Sequence, residues 1–564
     1  MSDRSADAAR AERVRVTLNP VVRAPAPSEA EAVRFDAPFA APTSVSPTKS
    51  LYSAGNAAGA QPPPSTPPPA PPPPSPAPRR LLGAFGIAVF GFASVAGGPF
   101  GIEAAVGAAG ALPTLLGLAA TTVVWSAPQA LVTAELSCAF PSSAGYVGWV
   151  VRGLGPAAGF VNAWAMIVAQ SLNIPLYPVL IAAYMQQLNP ALPDGALWAI
   201  KLACLAAAAA LNVVGVQAVA AASLAMVLFV QTPFVLMPAA AASTGRAFAW
   251  GALGRGLDAP GDLQLSVFVS TMCWNMQGWV TLGSLAAEVR SAQRDYPRGL
   301  LAAVLLVALN YIAPVVVGVA LAPDATRWDT GFFVLLAQDI APWLGTYALV
   351  AASLSSMSNL VPQLTTSARA LCAAARSGIV PLPLLGRARV TRFRTPVPAT
   401  LAVTAAAAAL TALSFETLVV LQLLFSGVGL FLQFAAFLRL KHVEPGLLRP
   451  FAVPGGVAGA WLISLPFFAL LALVAISAAI ESPGVAGAAA GGTVAMVAGG
   501  LAWARWGRSL RVAELLARSD GEDEGAAGGV EGAGGVEGAT AEAAAKAASP
   551  AAKQPPQPHN FLKA

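Results

Sequence analysis

The chain has 564 residues, of which 56% are hydrophobic and only 11% charged, against about 25% charged in an ordinary soluble chain. Mean hydropathy is +0.65 and the formal net charge is +6. This balance excludes a soluble enzyme and a disordered scaffold, and the arginines gather in short loops between apolar runs, a membrane-topology pattern that excludes a nucleic-acid partner.

In chain order, residues 1–80 read as a disordered cytoplasmic tail. No apolar run there is long enough to cross a bilayer, and Asp3, Asp7 and Glu12 do not suit a transit peptide. The stretch 61–78 is mostly proline, a stiff polyproline II spacer that also offers an SH3-like partner a ligand. Residues 81–506 hold twelve apolar segments: 81–109, 112–138, 155–185, 196–214, 217–241, 263–287, 299–321, 342–375, 396–413, 416–438, 457–480 and 484–506. A spanning helix needs about 20 such residues. Polar and apolar residues do not alternate, so a β-barrel is excluded. Residues 507–564 form a second cytoplasmic tail, basic at first, then rich in Gly, Ala and Glu and expected to be mostly disordered. Four scattered cysteines without a CxxC spacing, and two histidines, suit neither a disulfide framework nor a metal centre, and no cofactor is expected.

Charge sets the orientation. With both termini in the cytoplasm, the inner loops hold Arg290, Arg294, Arg298, Arg369, Arg376, Arg387, Arg389, Arg392, Arg394, Arg439, Lys441 and Arg449. The outer loops then hold only Arg246, Arg255 and Arg327, with Lys201 near a helix start.

Two segments carry residues that a continuous helix avoids. Segment one contains Gly97-Gly98-Pro99-Phe100-Gly101 before Glu103. Proline suits the first position of a new helix. The expectation is therefore a half-helix ending near Gly97 and a second starting at Pro99. The free N–H groups of Phe100 and Gly101 would then form a carboxylate site. Segment six contains Trp274-Asn275-Met276-Gln277-Gly278-Trp279. Unwound backbone at membrane depth must line a cavity or be buried in protein. Two breaks five segments apart point to an inverted repeat with a site between its halves, hence to a transporter.

The runs GGPFGIE (Gly97 to Glu103), ALVTAELSCAFPSSAGYVGWV (Ala130 to Val150), GLGPAAGF (Gly153 to Phe160), LYPVL (Leu176 to Leu180), WNMQGW, LAAEV (Leu285 to Val289) and RPFAVP (Arg449 to Pro454) resemble the amino acid–polyamine–organocation superfamily. Among its members they are most similar to the plant and algal polyamine uptake transporters and related amino acid permeases. The resemblance covers about 81–480. It implies an all-α membrane protein with twelve transmembrane helices, a five-plus-five inverted repeat with broken helices one and six (LeuT-like), and alternating access around a midplane site.

On this reading the protein is a secondary active transporter of amino acids and/or polyamines in the plasma membrane, with an endomembrane as the other compartment. H⁺ as driving ion is implied by the resemblance only. The site would comprise Gly97, Gly98, Phe100, Gly101, Glu103, Asn162, Trp274, Asn275, Gln277, Gly278, Ser355, Ser358 and Asn359. Glu103, a carboxylate within a segment, is the candidate for ammonium binding or proton coupling. Glu135, before the Phe140-Pro141 turn, resembles the family's inner gate. Trp274 and Trp279 offer faces to a cation. Trp125, Trp149 and Trp198 read as interfacial anchors, and Tyr177-Pro178 as a kink without ligand contacts. Where the resemblance implies carboxylates in polyamine carriers, this chain has Asn162, Asn173, Val280 and Val361. That favours a zwitterionic or weakly charged substrate over a polyamine. The long tails leave a second reading open, a nutrient sensor that signals through them.

Overall fold

A computed structural model of the chain describes residues 83–140, 145–214, 217–256, 263–289, 291–376, 384–386 and 396–506. The Pro-rich run, both tails, and Arg290, Arg387, Arg389, Arg392 and Arg394 lie outside the described residues.

Among the described residues the regular elements are helices. Segment one splits into α1 (Ala84–Val95) and α2 (Glu103–Ala109). Segment two is α3 (Ala111–Thr121), a five-residue π-helix (Thr122–Ser126) and α4 (Ala127–Ala139). A connecting helix, α5 (Gly145–Leu154), leads to segment three as α6 (Pro156–Asn173) and α7 (Leu176–Leu188). Then come α8 (Asp194–Val214) and α9 (Gln217–Ser243). Segment six is α10 (Leu265–Asn275) followed by a 3-10 helix (Trp279–Glu288). Beyond it run α11 (Ala292–Leu321), the short α12 (Phe332–Ile340), α13 (Pro342–Arg376), α14 (Val397–Leu410), α15 (Phe415–Val443), α16 (Gly456–Glu481) and α17 (Pro483–Trp506).

Eight of the described helical stretches are long and apolar enough to cross a membrane. Segments one and six fall short because each is broken, segment five because its apolar stretch counts only as Leu228–Ser243, and segment nine because α14 has 14 residues. On α16 and α17, Leu462, Ile480, Val494 and Leu501 face outward, more than half exposed. Apolar side chains in that number suit a lipid solvent.

Two sequence expectations need correction. Pro99 does not start a helix. The chain leaves α1 at Ala96, which is extended, and passes through Gly98 at φ +147° and Gly101 at φ +88°. Those angles strain any residue with a Cβ, and α2 begins only at Glu103. Trp125 and Trp149 are not interfacial anchors but wholly buried, while Trp198 is 39% exposed. Trp125 stacks on Phe467 and donates its indole N–H to the carbonyl of Cys273, 3.0 Å away in the last turn of α10.

The π-helix thereby supports the break in segment six. Ser126 Oγ donates to the carbonyl of Met276 at 2.8 Å, and the Trp279 indole donates to the same oxygen at 2.9 Å. Thr121 and Thr122 reach the Met276 sulfur. A carbonyl freed by unwinding thus has two side-chain donors, which buried unwound backbone requires.

Candidate substrate site

The two breaks are joined. Asn275 donates Nδ2 to the carbonyl of Gly101 at 3.0 Å and to that of Thr271 at 2.8 Å. Gln277 donates to Gln422 Oε1 on α15 at 2.7 Å, and Ser426 donates to Gln277 Oε1 at 3.4 Å. Ser355 on α13 donates to the carbonyl of Gly97 at 2.6 Å, and Asn359 donates to the carbonyl of Ser355 at 3.3 Å. A Cβ on Gly97 would overlap Asn359 Nδ2, so glycine here serves close approach.

Between these elements lies a cavity of about 110 Å³. Its lining includes Gly97, Gly98, Phe100, Trp274, Asn275, Gln277, Gly278, Ser355 and Asn359 from the expected set. Val280, Asn173 and Tyr177 also line it. Tyr177 therefore departs from its expected role as a mere kink; the chain bends earlier, at Ile174-Pro175, and Pro178 sits in the first turn of α7. Trp274 donates its indole N–H to Asn173 Oδ1 at 3.0 Å and meets Phe415 edge-on, ring centroids 5.4 Å apart. Phe100 packs edge-on against Tyr184 and Phe234.

Four expected residues stand elsewhere. Gly101 gives its carbonyl to Asn275 but does not line the cavity. Glu103 is fully buried behind the break. Its Oε2 accepts the Gly101 N–H at 2.6 Å and its Oε1 accepts from Tyr184 OH at 3.1 Å. The Gly101 N–H expected to await a substrate carboxylate is therefore taken by the chain's own Glu103. Asn162 is held by Gln433 and the carbonyl of Tyr146, away from the cavity. Ser358 donates to the carbonyl of Ser355 and is likewise absent from the lining. Trp279 is buried against Met276 rather than facing the cavity, and Val361 packs in a separate cluster with Leu205 and Val403.

Glu135 forms a buried ion cluster. It meets Lys441 Nζ at 2.8 Å and Arg449 Nε at 3.0 Å, and accepts the Val453 N–H at 2.7 Å. It ties α4 to the end of α15 and to the loop before α16.

Several lining side chains were not anticipated: Gln129, Gln170, Tyr311, Gln363 and Gln422. The signal was in the sequence. A carboxamide within an apolar run needs a partner, and that argument, applied to Asn275 and Gln277, applies equally to these glutamines. The wall is thus made of carboxamides, hydroxyls, aromatic rings and exposed backbone. Among the described lining residues there is no Asp, Glu, Lys, Arg or His.

The pattern of the amino acid permease family matches residues 82–500. The chain belongs to this family. Among curated relatives, the polyamine transporter PUT1 of Oryza sativa subsp. japonica is 32% identical over 386 residues, covering 68% of this chain and 71% of that one. The polyamine transporter RMV1 of Arabidopsis thaliana is also 32% identical, over 68% of this chain and 78% of its own. An uncharacterized transporter of Mycobacterium tuberculosis is 27% identical over 59% of this chain and 74% of its own. With its long apolar helices, this permease is an integral membrane transporter and not an enzyme. It stands close to the polyamine transporters within the amino acid–polyamine–organocation superfamily.

Proposed function

We propose that the protein carries an organic amine of low net charge, an amino acid in preference to a polyamine, by alternating access around the cavity between the two breaks. The observation that carries this reading is the cavity wall, whose described polar side chains are all neutral. Carboxamide and carbonyl oxygens solvate one ammonium well. Each further ammonium brought in without a carboxylate would cost several kcal/mol after relaxation. At roughly 1.4 kcal/mol per tenfold in affinity, that removes most useful polyamine binding. The relatives named polyamine transporters support an amine substrate; the neutral wall supports a shift in charge preference within it.

Twelve spans, a five-plus-five inverted repeat, cytoplasmic termini and the plasma membrane belong to the same proposal. The broken segments one and six and the arginine asymmetry support it. A cysteine in place of Arg387 should resist an impermeant reagent applied to intact cells; ready labelling would reverse the orientation. H⁺ coupling through Glu103 is proposed because that carboxylate grips the break itself. Its proton would change the hold on the Gly101 N–H without touching the substrate.

The test is uptake into proteoliposomes of labelled L-leucine and labelled spermidine, each in competition with the other. L-leucine should be carried and spermidine should compete poorly. Val280→Asp places a carboxylate on the wall and should raise the relative uptake of spermidine. Micromolar competition by spermidine in the unaltered protein would refute the charge preference.

A further inference from the structure

One lining residue has a hydrogen-bonding capacity that the fold leaves unused. Gln129 lies in the first turn of α4, is 1% exposed, and lines the cavity. Its Nε2 donates to the carbonyl of Trp125 at 3.1 Å. Its Oε1, equally buried, has no hydrogen-bond partner. A buried carboxamide oxygen without a donor is unfavourable, and native folds leave few of them.

The position is built rather than incidental. Gln129 follows the π-helix Thr122–Ser126, whose inserted residue turns everything after it by about 100° relative to an uninterrupted α-helix. The same insertion carries Trp125 and Ser126, which hold the carbonyls of Cys273 and Met276. One local distortion therefore supports the break in segment six and brings Gln129 to the cavity. There it shares the wall with Val280 and Thr281, at the start of the 3-10 helix against which α4 packs.

We propose that Gln129 Oε1 is a substrate-binding acceptor that takes a hydrogen bond from the ammonium group of the transported amine, and that it selects amines over analogues lacking that group. Three features point to an ammonium. The vacant atom is an acceptor only, the described lining residues include no carboxylate to compete for the cation, and the neighbouring Nε2 is already engaged. The assignment rests on the amine reading above.

The test measures binding of two probes to the full-length protein in detergent, L-leucine and spermidine. Each is paired with an analogue lacking one amine: 4-methylpentanoate for leucine and N-propyl-1,4-diaminobutane for spermidine. The unaltered protein should prefer at least one probe over its analogue. Gln129→Met keeps the volume and removes the acceptor, and should reduce that preference about tenfold or more, as loss of a hydrogen bond to a charged group implies. Gln129→Glu should raise spermidine affinity relative to leucine by a similar factor. A merely structural glutamine would lower the yield of folded protein and leave both ratios unchanged. If Gln129→Met is not recovered folded, the Gln129→Glu ratio decides. Unchanged ratios in the folded variants would overturn the role of Gln129 and leave the amine reading intact. Failure of the unaltered protein to bind either probe would overturn both.

Discussion

Asn275 and Gly101 are 174 positions apart in sequence, yet the carboxamide of the first donates to the carbonyl of the second at 3.0 Å. This bond closes one break against the other. The same Nδ2 also serves the carbonyl of Thr271. The Gly101 carbonyl lies in the first break, outside any helix, whereas that of Thr271 is within α10, four residues before Asn275.

Replacing Asn275 by Leu should therefore leave the buried Gly101 carbonyl without this donor, at about 1–3 kcal/mol. Thermal unfolding in detergent should show the loss, with uptake reduced alongside. Asn275→Asp has nearly the same shape but its carboxylate cannot donate, so it should behave like Leu. Normal stability and uptake in Asn275→Asp would show that the bond is dispensable.

Gly97 does not need an unusual φ; it needs the absence of a Cβ beside Asn359. Gly97→Ala should fold, because the carboxamide it displaces is the mobile end of a side chain. It should still lose uptake, because Asn359 is moved from the wall and from Ser355. Asn359→Ala should show a similar loss, and the double variant should be no worse than either single. Additive losses in that cycle would mean that the two residues act independently.

Glu103 grips Gly101 from within α2 while Tyr184 donates to its other oxygen. Under the proton-coupling proposal, uptake by the unaltered protein should rise as the outside is acidified. Glu103→Gln cannot exchange a proton, so its substrate exchange should continue with the pH response gone. Exchange that remains as steeply pH-dependent in Glu103→Gln would move the coupling site elsewhere.

The Glu135 cluster and the Arg152–Glu444 pair, both at the C-terminal end of α15, should differ in weight. Glu135 holds Lys441 and Arg449 almost out of solvent, so Glu135→Gln strands two cations and should destabilise by about 3–5 kcal/mol. Arg152 and Glu444 pair in the open, and Arg152→Gln should change stability by about 0–1 kcal/mol. Comparable melting losses in the two variants would contradict this ranking.

The course of the helices and the place of both breaks were legible because glycine and proline inside apolar runs have few structural uses. The residues within the first break were harder to read. Sequence placed Pro99 at a helix start, where its missing N–H costs nothing, but Gly98 and Gly101 carry the chain through left-handed angles that defer the helix to Glu103. Glu103 consequently faces back onto the Gly101 N–H rather than into the cavity, an outcome that depends on two φ angles and not on composition. Trp125 shows a second limit. It stands midway along segment 112–138, where the choice is between lipid tails and the bundle interior, and an apolar run does not decide that. Its burial follows from a π-helix, which has no sequence signature comparable to glycine or proline. Gln129 was in view, since its carboxamide stands in an apolar run, but its direction depends on that same inserted residue.

The ten residues Trp279–Glu288 form a 3-10 helix, a winding seldom kept beyond three or four residues. It advances about 2.0 Å per residue where an α-helix advances about 1.5 Å, so rewinding this stretch would shorten it by about 5 Å. Such rewinding would draw Glu288 towards the second break along the axis of the segment, past the α4 face it packs on, by nearly one helical turn. Spin labels on the exposed Leu263 and Gln293, on either side of segment six, would report it as a contraction between two substrate conditions, and a fixed separation would rule the stroke out.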